Sequence, residues 1–130
     1  MVLDTSALLA VLLGEPEQDR YVEALAAAAD PLISAATLVE ASIVMRARTG
    51  DAGVEDLDAL LAAAGVRCVA VDEGQARLAR DAFARLGKGR APAGLNLGDC
   101  FSYALAAAMR RPLLFKGGDF SRTDVVPALG

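Results

Sequence analysis

The chain has 130 residues, 55% of them hydrophobic and 23% charged, which suits a single domain over residues 1–130 with a real core and excludes a disordered chain. A formal charge of -4 excludes holding nucleic acid by bulk electrostatics alone, although a local basic patch can still do that work. Histidine is absent, which removes His-dependent triads, histidine-ligated zinc and the commonest general base.

The chain opens on a very short apolar run, Val2-Leu3, cut off by Asp4-Thr5-Ser6. Residues 6 to 13 read as a helix that Gly14 and Pro16 break, and a second helix spans 17 to 28. "PLIS" is a short buried strand, and Ser34 caps the next helix, "AATLVEASIVMRARTG", which Gly50 ends. "VEDLDALLAAAG" is a further helix stopped by Gly65, "VRCVAV" a strand, and "DEGQARLARDAFARLG" a helix. "KGRAPAGLNLG" is the one extended loop, basic at its start, with Asn96 and Gly98 as turn residues before a helix over 99 to 109. "PLLF" follows as a strand, "KGGDFSRTD" as a loop and "VV" as a last short strand. Short apolar runs alternating with helices are the pattern of a parallel sheet flanked by helices.

Two cysteines, Cys68 and Cys100, are too few for a disulfide framework or a zinc site, and both lie in apolar runs that predict buried free thiols. No segment reaches the roughly 18 apolar residues of a spanning helix. No positive residue precedes "ALLAVLLG", as a signal peptide needs, so the expected location is cytoplasmic, with no membrane partner.

The acids carry the chemistry. In an open α/β sheet, ligands bind beyond the carboxyl ends of the strands. Asp4 follows the first apolar run and Asp119 comes shortly after "PLLF", so both are placed at that edge. Asp99 opens a helix, with Ser102 and Tyr103 on its face. Glu40 stands among Ala36, Thr37, Ile43 and Val44, where a buried carboxylate needs a cation, a hydrogen-bond donor or a metal. Arg46 and Arg48 lie at the wrong helical offsets to pair with it. Several acids without histidine suit a hard divalent cation, which prefers oxygen ligands and polarises phosphoryl oxygens.

Four blocks, "VLDTSALLAVLLGEPE", "LVEASIVMRARTG", "LNLGDCFSYALA" and "PLLFKGGDFSRTDV", together resemble the PIN domain of bacterial VapC-type toxins over essentially the whole chain. The resemblance implies a three-layer α/β/α sandwich with a central, mainly parallel sheet. It also implies a Mg²⁺- or Mn²⁺-dependent endoribonuclease leaving 5′-phosphate and 3′-hydroxyl ends, a paired VapB-like antitoxin and a homodimer. The family's acids fall on Asp4, Glu40 and Asp99, and its supporting hydroxyl on Ser6. Asp4 and Asp99 are the implied direct metal ligands, with Glu40 and Asp119 acting through waters or at a second ion. Relatives carry an Asp-x-Asp-Phe arrangement near the fourth acid, but Gly117 stands at its first position, leaving Asp119 with Asp124 as a competitor.

Other patterns fail or remain rivals. "LGKGRAPAG" is no P-loop, because Ala82 takes the leading glycine position and Gly89 replaces Ser/Thr. "LDTS" resembles the haloacid-dehalogenase phosphatases, but Ser6 stands where their second Asp belongs. Arg85, Lys88, Arg90 and Lys116 are the candidate RNA contacts, or else part of a solvated turn. With four Phe, two Tyr and no Trp, RNA recognition is expected to rest on phosphate contacts and loop shape and not on stacked bases. The helices at 6 to 13 and 17 to 28 either form a groove for an apolar antitoxin segment or only cover the sheet. Two other readings stay open: a housekeeping PIN-domain RNA-processing nuclease, and a non-catalytic module whose acidic pocket receives a partner's Arg.

Overall fold

The computed structural model describes residues 1–89 and 92–129. Its elements are β1 (Val2–Leu3), α1 (Thr5–Leu12), α2 (Gln18–Ala27), β2 (Leu32–Ser34), α3 (Ala35–Ala63), β3 (Arg67–Val69), α4 (Glu73–Leu86), α5 (Leu97–Met109) and β4 (Leu113–Leu114). The strands form one parallel sheet in the order β3-β2-β1-β4. Val2 lies opposite both Leu32 and Leu113, and Leu3 opposite Leu114.

Successive strand side chains point to opposite faces, and the two cores obey that rule. Val2, Leu32 and Leu113 pack on one face with Ala79 and Ala82 of α4 and Ala104 and Leu105 of α5. Leu3, Ile33 and Leu114 pack on the other with Leu8 of α1, Tyr21 and Leu25 of α2, and Ala41 and Leu57 of α3. Both faces are therefore covered, which is why the strands read as continuous apolar runs and not as alternating ones. The result is the expected three-layer sandwich.

Gly50, at φ 72° and ψ -160°, breaks the helical path inside α3, so the stop predicted there exists as an interruption of one long element. Gly65, at φ 67°, follows the C-cap residue Ala64, where a left-handed residue ends a helix.

Three local expectations need correction. Helix α5 begins at Leu97, with Asn96 as its cap, so Gly98 belongs to the first helical turn and Asp99 is the third helical residue. Cys68 is exposed, because β3 is an edge strand with Arg67 and Cys68 open to solvent, while Cys100 is buried as expected. The "VV" run forms no strand. Leu113 instead makes a single bridge to Pro127, donating its N–H to the Val126 carbonyl at 2.9 Å and accepting the Ala128 N–H at 2.9 Å. Pro127 has no N–H with which to extend that ladder. Among the described residues, no helix is long and apolar enough to cross a membrane.

The chain steps outward from β1 through β2 to β3, then returns to place β4 on the other side of β1. The crevice beyond the carboxyl ends of β1 and β4 is therefore the position where such sheets bind ligands.

Candidate active site

Asp4 follows β1 directly and caps α1. It is 3% exposed, and three donors satisfy its carboxylate. Oδ2 accepts the Ser6 N–H at 3.1 Å and the Ser6 hydroxyl at 2.6 Å, while Oδ1 accepts the Ser102 hydroxyl at 2.6 Å. The Ser102 hydroxyl also meets Thr37 Oγ1 at 3.2 Å. Ser6 Oγ in turn accepts the Lys116 N–H at 2.9 Å, and Asp4 donates its own N–H to the Leu114 carbonyl at 3.0 Å. The ends of β1 and β4 are thereby stitched together at the mouth of the crevice.

Asp99 is held by a reciprocal capping box. Asn96 Oδ1 accepts the Asp99 N–H at 2.9 Å, and Asp99 Oδ2 accepts the Asn96 N–H at 3.1 Å. An Asp in a first helical turn commonly serves in this way, yet the capping bonds do not balance its charge. Burial pushes the Asp99 carboxyl up to about 7, the Asn96 N–H opposes this, and the neighbouring Asp4 and Asp119 carboxylates add to it. Asp119, exposed in the turn after β4, is near enough for its carboxylate to act on Asp99.

Glu40 finds the donor that its apolar surroundings require. The Thr5 hydroxyl, next to Asp4, donates to Glu40 Oε1. Its helix face is less apolar inward than its neighbours imply. The buried line of the first half of α3 is Thr37, Ala41 and Met45, whereas Val39 and Ile43 are 58% and 62% exposed. Glu40 is half-buried on the flank of that line, facing the first turn of α5.

The four acids singled out in the sequence thus occupy one neighbourhood, and Asp124 does not join them. The Asp124 carboxylate accepts the Tyr103 hydroxyl, and the Tyr103 oxygen itself accepts from Arg85 at 3.3 Å. Burial, chiefly, and the Asp124 contact push the Tyr103 phenol up. Two hydroxyls that hold the acids, those of Thr5 and Ser102, and a third, that of Thr37, which meets Ser102, are not among the site residues expected from the sequence. The signal was present in spacing: Ser102 follows Asp99 by three residues, and Thr37 precedes Glu40 by three.

The candidate RNA contacts are scattered. Arg85 pairs with Asp81 at 3.6 Å as well as touching Tyr103, and Lys88 is exposed. Lys116 Nζ is engaged by Glu15 Oε1 at 3.3 Å and the Pro16 carbonyl at 3.1 Å. Arg90 lies outside the described residues.

The donor set fits a hard divalent cation. The side chains that hold Asp4, Glu40 and Asp99, those of Ser6, Ser102, Thr5 and Asn96, all meet them through oxygen, and a cation would offset both the burial and the neighbouring carboxylates that raise Asp99. Among the described residues, no three acidic or thiol side chains form a ready-made cage.

Residues 1–126 match the PIN domain family. Ribonuclease VapC30 of Mycobacterium tuberculosis (strain ATCC 25618 / H37Rv) is 50% identical over 125 residues, 96% of this chain and 95% of that protein. Ribonuclease VapC of Mycolicibacterium smegmatis is 50% identical over 125 residues, 96% of this chain and 97% of that protein. Among solved structures, Mycobacterium tuberculosis VapC20, described as a Sarcin-Ricin loop cleaving toxin, superposes with a TM-score of 0.79 at 20% identity, covering 96% of this chain and 95% of that one. VapBC2 from Rickettsia felis, bound to a DNA fragment from its promoter, gives 0.75 at 16% identity, with 97% and 94% coverage. The last two likenesses speak to the fold, and the first two, at half identity over nearly full length, speak to kinship. With its acids gathered at the carboxyl edge of a parallel sheet, the chain belongs to the PIN-domain family and, within it, to the VapC ribonucleases.

Proposed function

We propose that this chain is a metal-dependent endoribonuclease and the toxin of a type II toxin–antitoxin pair, acting in the cytoplasm. The observation that carries the reading is the convergence of Asp4, Asp99, Asp119 and Glu40 beyond the ends of β1 and β4, with no histidine in the chain. Asp4 and Asp99 are the direct ligands of a Mg²⁺ or Mn²⁺ ion, and Glu40 and Asp119 act through waters or at a second ion. When bound, the ion supplies Lewis acidity toward a phosphodiester and lowers the pKa of water. Ser6 and Ser102 keep the Asp4 carboxylate turned into the crevice, and the capping box does the same for Asp99.

RNA is the substrate, with Arg85, Lys88, Arg90 and Lys116 as candidate phosphate contacts. Lys116 must leave Glu15 to serve. A VapB-like antitoxin is the partner. Helices α1 and α2 turn Leu8, Tyr21 and Leu25 into the core, which favours their role as a cover for the sheet. Homodimerisation belongs to the same reading, and a second copy would cover the exposed Val39, Ile43 and Leu97.

Purified protein incubated with total RNA and Mg²⁺ or Mn²⁺ should cleave it, and EDTA, Asp4→Asn or Asp99→Asn should abolish cleavage. Undiminished cleavage in EDTA would overturn the metal mechanism. Growth arrest on expression, relieved by co-expressing the antitoxin, separates a toxin from a housekeeping nuclease.

A further inference from the structure

Gly98 is the second residue of α5 and has ordinary helical backbone, without the positive φ that calls for glycine elsewhere in the chain. Local preference therefore runs against it, since alanine at a helix position is favoured over glycine by about 1 kcal/mol. A reason for glycine appears across the crevice. A Cβ on Gly98 would overlap Oε2 and Cδ of Glu40 and come within 2.7 Å of Oε1. From the other side, the Thr5 hydroxyl donates to Oε1. The Glu40 carboxylate is thus lodged between the first turns of α1 and α5, beside two of the acids: Thr5 follows Asp4, and Gly98 precedes Asp99.

We propose that Gly98 is a positioning residue, whose missing side chain lets the Glu40 carboxylate lie against the first turn of α5 beside Asp99. The activity part of this inference rests on the ribonuclease reading; the structural part does not. A Cβ at residue 98 forces the half-buried Glu40 side chain to swing away, and α5 itself loses nothing by the change.

The test uses Gly98→Ala, Glu40→Ala and the double variant in the full chain. In a crystal structure of Gly98→Ala, the Glu40 carboxylate should have left the Thr5 hydroxyl, with the thermal midpoint unchanged or raised. Mn²⁺ affinity by calorimetry should fall several-fold. The kcat for RNA cleavage should fall about tenfold to a hundredfold, the scale of a displacement of about 1 Å at a reacting centre, with KM little changed. In the Glu40→Ala background the same glycine substitution should change neither Mn²⁺ affinity nor kcat. Should Gly98→Ala fold poorly, the double variant should fold normally, because the overlap is gone. Glu40 still bound to Thr5 in Gly98→Ala would overturn the proposal, as would equal losses from Gly98→Ala with and without Glu40. A wild-type chain that cuts no RNA would defeat the ribonuclease reading and leave the crystallographic comparison to decide this one.

Discussion

Two aspartates that lie close in sequence, Asp119 and Asp124, have different neighbours. Asp119 stands in the turn after β4, where its carboxylate adds to the repulsion on Asp99. Asp124 is taken up by the Tyr103 hydroxyl, away from Asp4 and Glu40. Asp119→Asn should therefore lower single-turnover cleavage at least about tenfold, or about 1.4 kcal/mol of transition-state stabilisation. Asp124→Asn should leave the rate near normal, because the amide oxygen can still accept from Tyr103. Side-by-side kinetics of the two variants check this; a dead Asp124 variant beside an active Asp119 variant would reverse the roles. Sequence names both residues as candidates, and what favours Asp119 is the Tyr103 contact of Asp124, made across 21 residues and invisible in a local pattern.

Helix α3 is one element in outline and two in conformation. Its first half carries Glu40 to the crevice, and its second half returns along the sheet face to place Leu57 in the core with Leu3 and Ile33. Gly50 makes the break possible at φ 72° and ψ -160°, a region that only glycine occupies without strain. Gly50→Ala should destabilise the fold by about 1–3 kcal/mol, the usual cost of such strain, while leaving the Mn²⁺ affinity of the folded protein unchanged. Urea unfolding beside calorimetry tests it, and a variant as stable as the parent would show that the two halves can join as one continuous helix. The stop at Gly50 was legible because glycine after a periodic run is a local signal. The start of α5 was less so, because Asn96 and Asp99 are both good capping residues and only their reciprocal bonds show which one caps.

At the scale of the whole molecule, the four parallel strands and two apolar layers bring buried carboxylates together at one end of the sheet. Asp99, with its ordinary value of 3.8 raised to about 7, is the group through which that arrangement makes stability depend on pH. Its folded-state pKa lies above the unfolded one, so its contribution is fully present below the unfolded value and is lost as pH rises through about 7. The metal-free protein should accordingly lose thermal stability between about pH 4 and about pH 7, and saturating Mg²⁺ or Mn²⁺ should flatten that slope. Melting curves with EDTA and with metal test this, and a midpoint independent of pH in EDTA would contradict it. The alternation of apolar runs with helices, the stops at Gly50 and Gly65, the choice of acids over histidine and the family resemblance were all determined by the sequence itself. Each is a local pattern or a composition, and neither needs a partner from elsewhere in the chain. The tertiary structure decided that Cys68 faces solvent, that the last apolar pair forms no strand and Pro127 after it makes a single bridge to β4, and that hydroxyls from Thr5 and Ser102 hold Glu40 and Asp4. Those outcomes depend on which strand lies at an edge and on pairs such as Asp4 and Ser102, 98 residues apart, which meet only when both layers close on the sheet.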